Sequence, residues 1–134
     1  MVVDDEYGPR ESIAYTLGGE FTVGTADRGR LALEMVRERE YDAVVLDIRM
    51  PEMDGIRTLE ELRKIDPQVS VIMLTGYGTL QTAQQAMVGG AAKIIEYKVG
   101  VGDRCIVSDQ LVRARLAQRF GCDDVGRNAH DFSR

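Results

Sequence analysis

Residues 43–55 read Ala43-Val44-Val45-Leu46-Asp47-Ile48-Arg49-Met50-Pro51-Glu52-Met53-Asp54-Gly55. An apolar run ends on an aspartate, and a stiff, proline-containing turn follows at once. A short continuous apolar run suits a strand buried on both faces. Two other stretches repeat the arrangement. Val2-Val3 runs into Asp4-Asp5-Glu6, and Val71-Ile72-Met73-Leu74 ends in Thr75-Gly76. Each strand delivers an acid or a hydroxyl at its C-terminal end. In an open parallel sheet, that edge is where ligands bind.

Working outward, strand and helix patterns alternate. Residues 1–3 are a strand stub. A helix follows, entered through Pro9, with Ile13 and Leu17 one turn apart and Gly18-Gly19 at its end. Phe21-Thr22-Val23 reads as the second strand. Asp27 suits the N-cap of a helix with Leu31, Met35 and Val36 inward. The third strand is residues 42–47. A helix from about Met53 to Ile65 carries Ile56, Leu59, Leu62 and Ile65 at spacings of three, and Pro67 stops it. Val69 to Thr75 is the fourth strand. A helix from Thr79 to about Val88 closes on Gly89-Gly90, and Lys93 to Tyr97 is the fifth strand. Near-continuous apolar strands between amphipathic helices predict an α/β fold, with a parallel sheet covered on both faces.

The chain of 134 residues is long enough for one domain with a real core. Its 44% hydrophobic and 29% charged content describe an ordinary globule. No apolar stretch reaches the ~18–20 residues of a membrane span, and no signal-peptide layout is visible. Two cysteines, Cys105 and Cys122, are too few for a disulfide framework, which makes a cytoplasmic address the default expectation. The net charge is −5, with residues 1–97 carrying 17 acids and 10 bases. An acidic body argues against direct nucleic-acid binding.

Asp4, Asp5 and Asp47 can sit together only if something offsets their repulsion, because crowded carboxylates raise one another's pKa. Magnesium suits such a site. It takes oxygen ligands, keeps several waters and accepts one or two carboxylates plus phosphate oxygens. Asp47 would then be a nucleophile that becomes an aspartyl phosphate, with Thr75 placed to hydrogen-bond the new phosphoryl oxygen.

With these residues together, the chain resembles the receiver domain of bacterial two-component response regulators. The resemblance rests on Asp4-Asp5-Glu6, Leu46-Asp47, Met50-Pro51, Asp54-Gly55 and Leu74-Thr75-Gly76. It covers residues 1 to about 92, and Thr75 to Thr79 look most like receivers of the nitrogen-regulatory type. It implies a doubly wound, five-stranded parallel sheet of flavodoxin-like order 2-1-3-4-5. It further implies phosphorylation of Asp47 by a sensor histidine kinase or phosphotransfer protein. Asp5 would bind Mg2+ directly, Asp4 mainly through water, and the backbone carbonyl of Arg49 would be a further ligand. Thr75 would be the switch hydroxyl. The family often pairs into homodimers through its last strands and helix.

The last third departs from the pattern. Counting from Thr75 without a gap puts the family's aromatic switch position on Ile94 and its essential lysine on Tyr97. Lys98 stands one place late and no proline follows it. A one-residue offset turns a strand side chain to the other face unless a bulge re-aims it. The expected receiver domain is residues 1–121, with 93–121 divergent and with Ser108 capping a last helix that carries Val112, Leu116 and Phe120. Residues 122–134 read as a flexible tail. Everything after about Ala92 is expected to be foreign to the parent domain, and only three residues precede Asp4, which clips a normally central strand.

Other residues take plainer readings. Asp54-Gly55 serves the turn and helix start, and Tyr77 and Thr79 shape a loop. Met50, Met53 and Met73 pack. The arginines at 113, 115 and 119 form a solvated helix face, and Cys105, Cys122 and His130 lack a zinc spacing. Two rival functions stand beside the phosphoacceptor switch. One is a binding module that keeps the fold but no longer switches. The other is a phosphatase resembling the haloacid dehalogenases. That family needs an aspartate two residues after the nucleophile, where Arg49 stands here.

Overall fold

A computed structural model of the chain describes residues 1–76, 80–96, 98–99 and 105–106. Its strands are β1 (Val2–Val3), β2 (Thr25–Ala26), β3 (Ala43–Asp47), β4 (Ser70–Thr75) and β5 (Lys93–Glu96). They alternate with α1 (Tyr7–Gly18), α2 (Gly29–Glu38), α3 (Gly55–Ile65) and α4 (Leu80–Val88). All five strands pair in parallel in the order β2-β1-β3-β4-β5. A separate antiparallel pair follows, β6 (Lys98–Val99) with β7 (Cys105–Ile106).

Strand side chains alternate faces, and here both faces are apolar. Val3, Val44, Leu46, Val71 and Met73 pack on one side with Leu33 and Val36 of α2, Leu59 and Leu62 of α3, and Ala86 of α4. Val2, Val45, Ile72, Leu74 and Ile95 pack on the other with Ile13 and Leu17 of α1. This is the doubly wound sheet expected from uninterrupted apolar strands. No described helix is long and apolar enough to cross a membrane.

Asp54 is the N-cap of α3, where its carboxylate accepts the amide N–H of Arg57 at 2.8 Å. At the other end of the sheet, Gly90 closes α4. Its φ of 87° lies in the left-handed region, and Ala91 N–H donates to Ala86 C=O at 2.9 Å, giving a Schellman-type stop. The Arg63 guanidinium reaches across to donate to Gly90 C=O at 2.7 Å and to Val69 C=O at 2.6 Å, tying α3 to both neighbouring turns. A Cβ on Gly90 would be left-handed and 3.1 Å from Arg63 Nε. Gly90→Ala therefore lowers stability by about 1–2 kcal/mol. The urea midpoint measures the loss, and an unchanged midpoint would contradict it.

Three local expectations fail. Phe21-Thr22-Val23 is not a strand, because the β1 ladder meets this stretch only from Thr25, opposite Val2. Phe21 and Val23 pack under the sheet instead. Asp27 does not cap α2. The helix begins after Arg28 with no side-chain cap, and Asp27 pairs bidentately with the Arg28 guanidinium at 2.8 and 3.0 Å. Leu31 faces solvent, because Gly29, Ala32, Leu33 and Val36 set the buried phase of α2. Gly29 fixes that phase, since a Cβ there would overlap the Thr58 hydroxyl of α3. Tyr77, Thr79, Tyr97, Ser108, the expected last helix, Cys122, His130 and the expected tail lie outside the described residues.

Candidate functional site

The register of the sheet builds the site. Val3 pairs with Leu46, so Asp4 and Asp47 stand together at the C-terminal edge. Asp47 in turn pairs with Leu74, one residue before Thr75. Three stretches far apart in sequence thus meet at one edge. Carboxylate oxygens of Asp4, Asp5 and Asp47 all lie within 4.8 Å of one another. Asp4 and Asp47 are buried, with relative exposures of 1% and 5%, as is Thr75 at 3%; Asp5 is exposed.

Burial of Asp4 and Asp47 raises their pKa values. Loss of water pushes Asp47 up to about 7, helped by the neighbouring charges of Asp4 and Asp5. The backbone amides of Arg49 and Ile48 pull the other way by favouring the ionised form. Burial pushes Asp4 up to about 6, with Asp5 and Glu6 adding to it and the Glu6 amide opposing it. One oxygen of Asp4 accepts that amide at 2.8 Å. Its other oxygen, Oδ2, is buried without a hydrogen-bond partner among the described residues. An orphaned carboxylate oxygen among crowded acids fits a hard divalent cation, which would supply the missing partner and offset the repulsion.

The remaining predicted residues divide. Arg49 stands two residues past the end of β3, and its amide serves Asp47. Ile94 lies in β5 opposite Met73, half-buried against the α2–α3 side of the core. Lys98 has its backbone in β6, outside the five-stranded sheet, and its side chain lies outside the described residues.

Sequence reasoning missed two contributors. Gly55 does more than serve the turn: a Cβ there would overlap the carbonyl oxygen of Asp47 and lie 2.8 Å from Ile48 Cα. Arg10 donates from Nη1 to the backbone carbonyl of Asp4 at 2.8 Å. A lone helical arginine carries no sequence signal for such a role. The loop after β3 also holds Glu52 at a φ of 65°, an uncommon state for a residue with a side chain. A cavity of about 440 Å3 lies at the opposite, N-terminal edge of the strands, lined by Met1, Phe21, Arg39 and Tyr41 among others. Its lining includes Glu20, Glu40 and Asp42 but none of Asp4, Asp5 and Asp47.

Known proteins resemble this chain in sequence and fold. The family model described as response regulator receiver domain matches residues 1–102, past the boundary near residue 92 that the motifs mark. The transcriptional regulatory protein ZraR of Escherichia coli O157:H7 is 42% identical over 92 residues, covering 68% of this chain and 21% of that protein. The chain therefore spans about a fifth of the length of that relative. The receiver domain of NtrX from Brucella abortus superposes with a TM-score of 0.74 at 31% identity, over 87% of this chain and 96% of that one. The CheX-CheY-BeF3-Mg2+ complex of Borrelia burgdorferi gives a TM-score of 0.75 at 26% identity, over 89% of this chain and 86% of that one. The sheet order, the acidic edge and the family match agree: the chain belongs to the response regulator receiver domain family.

Proposed function

We propose that Asp47 is the phosphoacceptor of this receiver and that Asp4 and Asp5 hold a Mg2+ ion beside it. The observation that carries the reading is the convergence of three carboxylates within 4.8 Å at the sheet edge, two of them buried. A carboxylate oxygen of Asp47 attacks the phosphorus of a donor phosphoryl group, and the bond to the donor breaks in line. The cation, when bound, supplies neutralising charge to the transferring oxygens. The carbonyl of Arg49 is a further ligand in this reading, and the hydroxyl of Thr75 meets the new phosphoryl oxygen. The donor is a sensor histidine kinase or a phosphotransfer protein. Phosphorylation then biases a two-state equilibrium, so the domain acts as a switch without an external turnover substrate.

The test is intact mass after treatment with a small acyl phosphate and Mg2+. The wild type gains ~80 Da, and Asp47→Asn gains nothing. An equal adduct on both proteins would remove Asp47 from the role.

Two features favour a second reading, a module that keeps the fold without switching. The aromatic position holds Ile94, and the Lys98 backbone stands outside the main sheet. Partner affinity that is unchanged by full modification of Asp47 would select that reading.

A further inference from the structure

The β1–α1 turn carries two of the three acids, and their like charges push it away from Asp47. Few groups oppose that push. Asp4 N–H donates to Ala26 C=O at 3.1 Å, and the Glu6 amide closes on Asp4 Oδ1 at 2.8 Å. The side-chain tie from α1 is Arg10, whose guanidinium spans six residues back along the chain to the Asp4 carbonyl at 2.8 Å. Its side chain is only 13% exposed. It is held over the Tyr7 ring, 5.7 Å from the centroid, and beside Glu11 at 3.8 Å. The planar guanidinium fork is itself pre-organised, so little freedom is lost in holding the carbonyl.

We propose that Arg10 is a positioning residue for the acidic edge. It closes the first turn of α1 onto the end of β1, so that Asp4 and Asp5 are pre-set around a cation before one arrives. The proposal rests on reading that edge as a Mg2+-assisted phosphoacceptor site, and it adds a residue that touches neither the ion nor the phosphoryl group. Partners that orient ligating carboxylates typically contribute tenfold or more to metal affinity.

The sign of the effect separates positioning from charge. At a pH where the acids are ionised, Arg10 is a cation beside a cation site, so a purely electrostatic role predicts tighter Mg2+ binding when its charge is removed. Positioning predicts the opposite. Calorimetric titration of Mg2+ into folded protein should give about tenfold weaker binding for Arg10→Gln. Arg10→Lys keeps the charge but loses the planar reach, and it should also bind more weakly. At saturating Mg2+ the plateau rate of adduct formation should return to the wild-type value, since Arg10 takes no part in the chemistry. In metal-free buffer, hydrogen exchange at the Glu6 amide should be faster in both variants, a readout that needs no metal.

Unchanged or tighter Mg2+ binding in Arg10→Gln, with the Glu6 amide still protected, would overturn the proposal while leaving the phosphoacceptor reading intact. A lower melting temperature with unchanged Mg2+ affinity would also overturn it, by showing a role in stability alone. A wild type that neither binds Mg2+ nor gains an adduct would overturn both.

Discussion

In metal-free buffer at pH 8, Asp47→Asn is more stable than the wild type by roughly 3 kcal/mol, a rise in melting temperature of about 10 °C for a domain of this size. Most substitutions destabilise, so the sign is diagnostic. It follows from the burial of Asp47, to which the neighbouring charges of Asp4 and Asp5 add. Asp47 ionises in the folded protein only near pH 7, against an ordinary value of 3.8. Between those two values the native state binds more protons than the unfolded chain, and stability falls as pH rises through that window. Above it the loss is complete and level. Asp4, pushed up to about 6, adds a smaller loss of the same sign. A neutral amide of the same shape removes the largest part, discounted here for its poorer fit to the amides of Ile48 and Arg49.

The difference between the two proteins is the quantity to follow. The Met1 amino group is pushed down to about 6 by burial, and its contribution has the opposite sign over a neighbouring range. That contribution cancels in the comparison. Wild type and Asp47→Asn should converge near pH 4, where both side chains are uncharged, and separate progressively to pH 7. Millimolar Mg2+ should then raise the wild-type melting temperature and leave the variant almost unmoved, because binding to the native state adds stability by mass action. Equal melting temperatures at pH 8 in a chelating buffer would mean that Asp47 is not buried beside Asp4 and Asp5 in solution.

Much of this edge was legible in the sequence because its parts are local. The run Val44-Val45-Leu46 has no polar interruption, so its strand had to be buried, and Asp47 at its end had to be buried with it. Asp54 and Gly90 likewise announce a helix start and a helix stop through their own chemistry. What could not be read depends on partners distant in sequence. Phe21-Thr22-Val23 has the composition of a strand, but a strand exists only where another backbone lies opposite, and β1 meets this stretch from Thr25 onward. Leu31 faces solvent against its periodicity because periodicity gives the width of a helix face and not its phase. The phase of α2 is fixed by Gly29 against Thr58 of α3. Asp27 had a choice between capping an amide and pairing with a guanidinium, and its neighbour Arg28 took it.

Gly55→Ala is expected to be the most damaging single methyl in the described part of the chain, costing about 3 kcal/mol. A Cβ there collides with the Asp47 carbonyl oxygen and crowds Ile48 Cα at 2.8 Å and Asp47 C at 2.9 Å. All three are backbone atoms, so no side chain can swing aside. The helix itself is pinned, with Gly55 N–H donating to Ile48 C=O at 2.8 Å and Asp54 capping Arg57. Relief must come from moving α3 away from β3 or from rotating the peptide after Asp47. Either motion shifts the nucleophile against Asp4 and Asp5. Gly55→Ala should therefore weaken Mg2+ binding by about tenfold at temperatures where the variant is still folded. Gly8→Ala is the matched control. It lies inside α1 with nothing within 4 Å of the added carbon, so it should stabilise by about 0.5–1 kcal/mol and leave Mg2+ affinity alone. If the two variants unfold at the same urea concentration, the close approach of α3 to the end of β3 does not exist in solution. If Gly55→Ala unfolds early but binds Mg2+ as the wild type does, the collision is real and is absorbed by the helix, leaving the acidic edge undisturbed.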